Sequence, residues 1–309
     1  MQKDFYDFVV VGAGAAGLTA AQYGARSGLD TLLIDSSDAG GQALNIFTLE
    51  NFPGFFPAVK GRTFIDNMQA QAQSFGAEIA LARVKSIDKI KNQFIIKTDK
   101  GSVSCYTVLI ATGAEHRKLG AKGESEFNGR GVSYCATCDG AFYKDKITAV
   151  NGGGDVAVED AIFLSRFCKK VYLIHRRNEL RATKILQDEL FALPNVEVIW
   201  DSVVKEIKGQ DTVTGLNIEN VKDHSQSDIT IDGIFVAIGI HPSTDLFLNV
   251  VECDEQGYVI AGEDGATSAP GIFVAGDSRK KRLRQIVTAV ADGANAVTSV
   301  QDFMVGKEK

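Results

Sequence analysis

Residues 8–17, FVVVGAGAAG, decide the fold, because they join an apolar run to a glycine-rich turn. Phe8–Val11 has the composition of a buried parallel strand, and the apolar spacing over Leu18–Ser27 predicts a helix. A second apolar strand, Thr31–Ile34, ends at Asp35. A strand, a turn of the form GxGxxG, a helix, a strand and then an acidic residue are typical of a dinucleotide-binding unit.

The same pattern returns in the second half of the chain. Lys146–Val150 predicts a strand, the turn GGGDVA covers residues 152–157, and helical spacing extends over Val158–Cys168. The next strand, Val171–Ile174, is followed by His175. In both copies, 23 positions separate the first glycine of the turn from the residue that follows the second strand. One GxGxxG is weak evidence in a glycine-rich chain, but two copies with equal spacing indicate a repeated dinucleotide-binding unit.

Each copy closes on a similar apolar strand, Val108–Gly113 in the first and Ile234–Gly239 in the second. Alternating apolar segments precede these strands, such as Phe94–Thr98 and Val213–Ile218. They predict a small antiparallel sheet layered on the parallel one. The sequence therefore predicts an α/β fold of two Rossmann-like domains, each with three layers (ββα).

A third strand of this type, Gly271–Asp277, comes late and precedes a helix from about Arg284 to Val305. The second copy is already closed at that point, so the tail is most economically placed on the first domain. The second domain is then inserted into the first. We predict a discontinuous first domain of residues 1–114 and 245–309, and a second domain of residues 115–244.

The composition fits about two domains and argues against several classes of protein. The chain has 309 residues against ~150 per domain, and its 45% apolar and 23% charged residues are ordinary for a globular protein. The net charge is −6, and the densest basic patch, Arg279–Arg282 followed by Arg284, is short, so we expect no nucleic-acid partner. No apolar run is long enough to span a membrane, and the start lacks a basic leader.

Cysteine usage indicates redox chemistry in a reducing compartment. Five cysteines are an odd number, which argues against a secreted disulfide framework and favours a cytoplasmic protein. Cys135 and Cys138 form a CxxC pair within CATCDG. A zinc site lacks further paired ligands, so we expect no metal, and a structural disulfide would close almost no loop. The pair therefore favours a redox-active dithiol, beside which Asp139 could exchange a proton or simply form an Asp-Gly turn.

The two glycine turns differ in the residues that follow the second strand. Asp35 can accept hydrogen bonds from a ribose 2′-hydroxyl and would repel a 2′-phosphate, which fits FAD or NAD. The second copy has His175 followed by Arg176 and Arg177, with Arg181 four positions later. Arginines there favour a 2′-phosphate and hence NADPH, although the same residues could be a solvated basic helix start.

Two nucleotide domains in one chain suggest that a hydride passes from NADPH to FAD. Asp277 follows a strand end, where a carboxylate can bind ribityl hydroxyls, and Arg284–Ile286 begin a helix whose N–H groups could face the flavin. The residues predicted to bind FAD are Gly12, Gly14, Ala15, Ala16, Gly17, Asp35, Gly40, Gly41, Gln42, Asn51, Ala111, Thr112, Gly113, Gly276, Asp277, Arg284, Gln285 and Ile286. The residues predicted to bind NADPH are Gly152, Gly153, Gly154, Asp155, Val156, Ala157, His175, Arg176, Arg177, Arg181, Ile238 and Gly239.

Over essentially its whole length the chain resembles the low-molecular-weight thioredoxin reductases. The resemblance is carried by the motifs GAGAAG (12–17), GGQ (40–42), ENFPGF (50–55), ATGA (111–114), CATCDG (135–140), GGGDVAVEDA (152–161), HRRNELRA (175–182) and AGD…RQI (275–286). It implies a homodimer that holds FAD and uses NADPH to reduce thioredoxin through a Cys135–Cys138 disulfide. It also implies that Cys135 attacks thioredoxin, that Cys138 faces the flavin, and that Asp139 is the acid or base.

The resemblance further implies a rotation of the inserted domain. The dithiol and the nicotinamide both lie in that domain, yet both need the same flavin ring. The two crossings between domains, near 114–119 and 240–246, are the predicted hinge. The alternatives are a relative that takes electrons from ferredoxin or another donor, and one that acts on a different disulfide partner.

Overall fold

The structure, a computed structural model, describes residues 1–46 and 48–307. The chain folds into two compact units. The first unit comprises Met1–Glu115 and His241–Lys309, and the second comprises His116–Ile240. The sequence placed these two divisions at 114/115 and 244/245, and the assignment of one cofactor to each unit stays a prediction.

Seventeen strands and six α-helices make up the described part of the chain. Up to the first crossing between units they are β1 (Phe5–Val11), α1 (Ala15–Arg26), β2 (Thr31–Asp35), α2 (Gly61–Ser74), β3 (Glu78–Leu81), β4 (Val84–Ile90), β5 (Gln93–Thr98), β6 (Gly101–Ile110) and β7 (Ala114–His116). The remainder are β8 (Val132–Ser133), α3 (Ala136–Asp139), β9 (Ile147–Gly152), α4 (Asp155–Ser165), β10 (Lys170–Ile174), α5 (Lys184–Phe191), β11 (Val196–Ile199), β12 (Ser202–Gly209), β13 (Val213–Asn220), β14 (Gln226–Thr230), β15 (Gly233–Ala237), β16 (Ile240–Pro242), β17 (Ile272–Val274) and α6 (Ile286–Lys307).

The first unit is built on a seven-stranded sheet with the order β3-β2-β1-β6-β5-β4, in which β17 also pairs with β6. Strands β3, β2, β1, β6 and β17 are parallel, whereas β5 and β4 are antiparallel. Phe8 and Val10 pack into one core cluster and Val9 and Val11 into another, because successive side chains of a strand point to opposite faces. Burial on both faces explains why β1 is an unbroken apolar run.

The second unit repeats this plan with a parallel sheet of the order β11-β10-β9-β15-β8. Leu173 of β10 packs into one core cluster and Ile174 into another, so its sheet is also covered on both faces. Its antiparallel strands β12, β13 and β14 form a separate sheet, as predicted. In the first unit the antiparallel strands instead join the parallel sheet through the ten-residue β6, which pairs with β5 and with β17. Parallel sheets in both units confirm the predicted α/β fold class.

Both helices that follow a glycine turn begin earlier than the sequence predicted. Helix α1 begins at Ala15 rather than Leu18, and α4 begins at Asp155 rather than Val158. Gly14 and Gly154 are the N-caps, and both have extended backbones. The last residues of each motif therefore belong to the first helical turn, where they pack against the preceding strand.

Two short strands lie at the crossings between the units. Strands β7 and β16 pair with each other as a two-stranded sheet. Among residues 1–46 and 48–307, no helix has the length and apolar character needed to cross a membrane.

Candidate functional site

The first unit contains a cavity of about 360 Å³ at the carboxyl ends of the parallel strands β1, β2 and β6. Ligands bind in this position in open α/β sheets. Most of the predicted FAD residues line it: Gly12, Gly14, Ala15, Ala16, Asp35, Gly40, Gly41, Gln42, Ala111, Thr112, Gly113, Gly276, Asp277, Gln285 and Ile286. Three predicted residues, Gly17, Asn51 and Arg284, are not in the lining. Asn51 still reaches it indirectly, because its Nδ2 donates to Gln285 Oε1 at 3.0 Å.

The first glycine turn is shaped by backbone packing on one side and by open space on the other. Gly12 has a φ of +108°, and a Cβ there would overlap the carbonyl oxygen of Ala111. A Cβ at Gly17 would overlap the carbonyl oxygen of Gly12, so Gly17 supports the turn from behind. A Cβ at Gly14 would meet no atom within 4 Å. The turn is therefore fixed by Gly12 and Gly17, while Gly14 leaves room for a ligand beside the helix N-terminus.

Asp35, at the end of β2, stabilises the same turn through a hydrogen bond. Its Oδ2 accepts a hydrogen bond from the backbone N–H of Ala13 at 2.6 Å. Its Oδ1 accepts one from the backbone N–H of Ser37 at 3.0 Å. A carboxylate has about four acceptor positions, so the side chain retains capacity for a ribose hydroxyl at the cavity wall.

Unpartnered polar atoms collect around this cavity. Thr112 Oγ1, Asp277 Oδ1 and Arg284 Nε are buried and have no hydrogen-bond partner among the described residues. Buried polar groups are normally hydrogen-bonded, so such atoms call for an explanation. Thr112 and Asp277 both line the cavity, and a flavin nucleotide carries the hydroxyl, carbonyl and phosphate groups that could satisfy Thr112 Oγ1. The buried Oδ1 of Asp277 lies 3.5 Å from Lys281 Nζ, which leaves the accessible part of that carboxylate to a ligand. The residues present therefore fit the cofactor that the sequence predicts.

The lining also contains residues that the sequence reasoning missed. Ala82, Arg83 and Val84 follow β3, the strand beside β2, and Ser36 and Ser37 follow Asp35. The rule that ligands bind beyond the carboxyl ends of parallel strands could have found the first group. The sequence analysis predicted four parallel strands in this unit and did not include β3, which is the fifth.

The second glycine turn has the same construction as the first. A Cβ at Gly152 would overlap the carbonyl oxygen of Ala237 and the Cβ of Ala157, whereas one at Gly154 would meet no atom within 4 Å. Asp155 Oδ1 accepts a hydrogen bond from the backbone N–H of Thr183 at 2.7 Å. The turn thus presents an open glycine at the start of α4, beside an exposed Val156.

His175 and the arginines after it lie in different environments. His175 is buried, a Cβ at Gly153 would overlap its ring, and its Nε2 has no hydrogen-bond partner among the described residues. Burial lowers the pKa of this imidazole, so it is a neutral group packed behind the turn. Arg176, Arg177 and Arg181 are exposed, and the backbone N–H of Arg181 donates to the carbonyl of Gly153 at 2.7 Å. That bond keeps the arginine segment beside the glycine turn.

The two remaining residues predicted to bind NADPH, Ile238 and Gly239, follow strand β15. Gly239 has a φ of +110°, which favours glycine, and its carbonyl accepts a hydrogen bond from the backbone N–H of Arg117 at 3.0 Å. Like Gly113 after β6, it lets the chain leave the carboxyl end of a parallel strand.

Cys135 and Cys138 form a disulfide with a Cα–Cα distance of 5.3 Å. Cys135 is the N-cap of α3, and its Sγ accepts a hydrogen bond from the backbone N–H of Cys138 at 3.2 Å. The hydroxyl of Thr137 lies 3.4 Å from the same sulfur. Both cysteines are partly exposed, so the bond can be reached from outside the unit. An N–H donor and a nearby hydroxyl also suit a sulfur that becomes a thiolate.

Asp139, directly after the disulfide, has the environment of a proton-exchanging group. Burial raises the pKa of its carboxyl, and a hydrogen bond from Ser133 partly offsets the rise. Ser133 Oγ donates to Asp139 Oδ2 at 2.6 Å and accepts from the backbone N–H of Cys135 at 3.1 Å. Ser133 is 4% exposed and was not predicted from sequence, because nothing in its spacing marks it. It connects the carboxyl to the backbone that carries the disulfide.

The other three cysteines lie in different surroundings from this pair. Cys105 and Cys168 are buried cysteines outside the disulfide, and Cys253, also outside it, is partly buried. Burial raises the pKa of Cys168 and of Cys253, which disfavours the reactive thiolate form. Among residues 1–46 and 48–307, no group of three or more His, Cys, Asp or Glu side chains is arranged to hold a metal ion.

Comparisons with known proteins find relatives over nearly the whole chain. The family model of the pyridine nucleotide-disulphide oxidoreductases matches residues 6–293. A thioredoxin reductase of Listeria monocytogenes is 45% identical over 304 residues, which are 98% of this chain and 95% of that protein. A thioredoxin reductase of Treponema pallidum is 44% identical over 304 residues, which are 98% of this chain and 98% of that protein. The crystal structure of thioredoxin reductase from Streptococcus pyogenes has a TM-score of 0.95 at 44% identity, covering 98% of this chain and 99% of that one.

Proposed function

This chain belongs to the pyridine nucleotide-disulphide oxidoreductase family, among its thioredoxin reductases, and we propose that it reduces thioredoxin with electrons from NADPH through FAD. The observation that carries the proposal is the partly exposed Cys135–Cys138 disulfide beside the partly buried carboxyl of Asp139, whose pKa is raised. When bound, FAD supplies the two-electron chemistry that connects a nicotinamide to a disulfide. The residues of this chain bind the two nucleotides, carry the disulfide and supply a proton.

The cavity of the first unit is the proposed FAD site. Gly14 leaves space for the pyrophosphate beside the N-terminus of α1, where free N–H groups and the helix dipole favour an anion. Asp35 is the proposed acceptor for the adenosine ribose, and Asp277 the acceptor for ribityl hydroxyls. Both carboxylates line the cavity, and the side chain of Asp277 is 33% exposed, which leaves acceptor surface for a ligand.

The turn at Gly152–Gly154 is the proposed NADPH site. Exposed Arg176, Arg177 and Arg181 supply bidentate, charge-assisted donors for a 2′-phosphate. None of the ion pairs among the described residues occupies their side chains. His175 is buried behind Gly153, so we assign it a packing role in this site rather than a contact with phosphate.

The arginine assignment is tested by the double substitution R176A/R177A. We expect kcat/KM for NADPH to fall about a hundredfold, because each lost charge-assisted bond costs about 1.5 kcal/mol or more. The value for NADH should stay within about twofold. R166A, at another exposed arginine of the same unit, is the matched control. Equal losses for NADPH and NADH would contradict a 2′-phosphate site.

The reduced Cys135 and Cys138 are the proposed reductant of thioredoxin. Cys135 attacks the thioredoxin disulfide, a mixed disulfide forms, and Cys138 then displaces the reduced thioredoxin by restoring the Cys135–Cys138 bond. Two thiols of the enzyme are oxidised and one disulfide of the partner is reduced to two thiols. The N–H of Cys138 and the hydroxyl of Thr137 favour the thiolate of Cys135. Asp139 is the proposed acid that protonates the sulfur released when the enzyme disulfide opens.

We also propose that the second unit rotates, that the protein is a homodimer and that it is located in the cytoplasm. The disulfide and the second glycine turn lie in the second unit, whereas the cavity lies in the first. One flavin ring cannot meet nicotinamide and disulfide on the same face at once, which supports alternation about the crossings near 114–119 and 240–246. Crosslinks that fix the units in one arrangement should abolish flavin reduction or thioredoxin reduction, and retention of both would refute the rotation.

The assignment of the cysteines is tested with C135S. We expect NADPH to bleach the bound flavin under anaerobic conditions while thioredoxin reduction is lost. C253S, at a partly buried free thiol, should retain both reactions. Thioredoxin turnover by C135S would overturn the assignment. A wild-type flavin that NADPH leaves unchanged but reduced ferredoxin bleaches would favour the other donor.

A further inference from the structure

The basic patch at Arg279–Arg282 has a structural explanation unrelated to nucleic acid. The Arg279 side chain is 10% exposed and the Lys281 side chain 7%, whereas Lys280 between them is 61% exposed. Buried charges need partners, and both buried cations have one in Asp292 of α6. Arg279 Nη2 lies 2.8 Å from Asp292 Oδ1, and Lys281 Nζ lies 3.0 Å from Asp292 Oδ2.

This ion cluster lies directly beside the predicted flavin carboxylate. Lys281 Nζ is 3.5 Å from Asp277 Oδ1, which suits an ion pair but is long for a hydrogen bond. Asp292 Oδ2 also accepts the backbone N–H of Gly276, the residue before Asp277. Lys281 Nζ is 3.4 Å from Thr288 Oγ1, in the first turn of α6. One buried ammonium therefore connects Asp277 with the start of the helix that lines the cavity.

The geometry of Asp277 shows what this connection does. Its Oδ1 is buried, yet its side chain is 33% exposed, and the residue lines the cavity. One carboxylate oxygen is thus held toward Lys281, and the accessible surface of the side chain is left to the cavity. Burial raises the pKa of Asp277, and the charge of Lys281 acts in the opposite direction. Lys281 therefore favours the ionised, acceptor-only form of this carboxyl.

We propose that Lys281 positions the carboxylate of Asp277 for the ribityl hydroxyls of the flavin, and that Asp292 holds Lys281 in place. Lys281 is a positioning residue, since it acts through Asp277 and is not in the cavity lining. The inference rests on the proposed FAD site. It adds two charged residues behind that site, Lys281 and Asp292, which lie outside the dinucleotide-binding motifs. It predicts that cofactor retention depends on a lysine outside the cavity.

The test measures how fast FAD leaves the purified holoenzyme after dilution, followed by the rise in flavin fluorescence. K281M should release FAD about tenfold faster or more, the loss expected for a hydrogen-bonded charged group. K280M changes the exposed neighbouring lysine and should release FAD within about twofold of the wild-type rate. Equal release by K281M and wild type would overturn the inference.

A second pair of variants separates positioning from a purely structural role. If Lys281 acts through Asp277, K281M should add almost nothing when Asp277 is already changed, so D277N and D277N/K281M should release FAD at similar rates. If Lys281 only anchors α6, it should add the same factor in both backgrounds, and the inference fails. The double variant removes one buried charge of each sign and carries the test if K281M does not fold. Wild-type protein that binds no FAD would instead refute the proposed function.

Discussion

Each unit contains a carboxylate shielded from solvent near its proposed site, buried at Asp292 and partly buried at Asp139, and the two have different partners. Asp292, in the first unit, receives hydrogen bonds from Arg279, Lys281 and the backbone N–H of Gly276. Asp139, in the second unit, receives one from the neutral hydroxyl of Ser133, and no cation of the described residues forms an ion pair with it. The pKa of Asp139 is raised by burial.

The contrast separates an anchoring carboxylate from one that can exchange a proton. Cationic partners fix the charge of a carboxylate and its position, which suits a group that organises a binding site. A buried carboxyl with a neutral partner has a pKa closer to neutral pH, which suits an acid or base. The two groups should therefore respond in opposite ways to removal of their charge.

The largest effect is expected at Asp139. D139N should lower kcat for thioredoxin reduction by about 10²–10⁴, the range for a general acid or base. Its free energy of unfolding at neutral pH should stay equal or rise. Because the folded pKa is raised, ionisation of Asp139 lowers stability as pH rises through that pKa, and the amide avoids this. D188N, at an exposed aspartate of α5, is the control. Unchanged turnover by D139N would contradict the assignment of Asp139 as a proton-exchanging group.

Asp292 should show the reverse pattern. D292N leaves the buried Arg279 without a carboxylate and Lys281 with only its 3.5 Å contact to Asp277, which should lower the free energy of unfolding by about 3–5 kcal/mol. Urea unfolding of the purified protein measures this. D302N changes an exposed aspartate of the same helix and should be neutral. A D292N protein as stable as the wild type would show that the ion cluster does not anchor the unit.

Ser133 sharpens the comparison at the second unit. S133A removes the hydroxyl that stabilises the Asp139 carboxylate, so the pKa of Asp139 should rise further. A reaction that needs the protonated acid then persists to higher pH, and the alkaline limb of the kcat profile should move upward. We also expect about a tenfold loss of kcat, since the backbone of Cys135 loses the same partner. S165A, at a serine of α4 whose hydroxyl donates to the carbonyl of Ile162 in the same helix, should leave the profile unchanged.

The smallest effect is expected at Asp35, a partly buried carboxylate whose hydrogen-bond partners are all neutral. An asparagine can still accept from the N–H of Ala13, so D35N should cost about 1 kcal/mol of FAD affinity. Release of FAD from the holoenzyme should quicken about fivefold. A loss as large as that of K281M would mean that the charge of the partner does not separate Asp35 from Asp277.

Local patterns made much of the fold and the cavity predictable. Strand periodicity and equal glycine spacing located β1, β9 and their helices, and most predicted flavin residues line one cavity. These features depend on residues close in the chain or on a repeated motif. The continuation of β6 into an antiparallel pair with β5 was not visible, because pairing depends on which strands meet in space.

The charged support of the site could not be predicted from the sequence. Lys281 and Asp292 are eleven positions apart, and the patch around Lys281 suggests a solvated surface. Only the folded structure shows that Lys281 is buried and pairs with the carboxylates of Asp277 and Asp292. The role of Ser133 could not be predicted for a similar reason. Nothing in the sequence distinguishes a serine before a CxxC motif, and only the structure shows its hydroxyl 2.6 Å from Asp139 Oδ2.

An anaerobic NADPH titration of the holoenzyme, followed by absorbance, tests the central claim most directly. If Cys135 and Cys138 receive electrons through the flavin, the wild type should consume two equivalents of NADPH, one for the flavin and one for the disulfide. C135S/C138S should consume one. Added oxidised thioredoxin should then reoxidise the wild type and leave the double variant reduced. Equal consumption by both proteins, or reoxidation of the double variant by thioredoxin, would contradict the account.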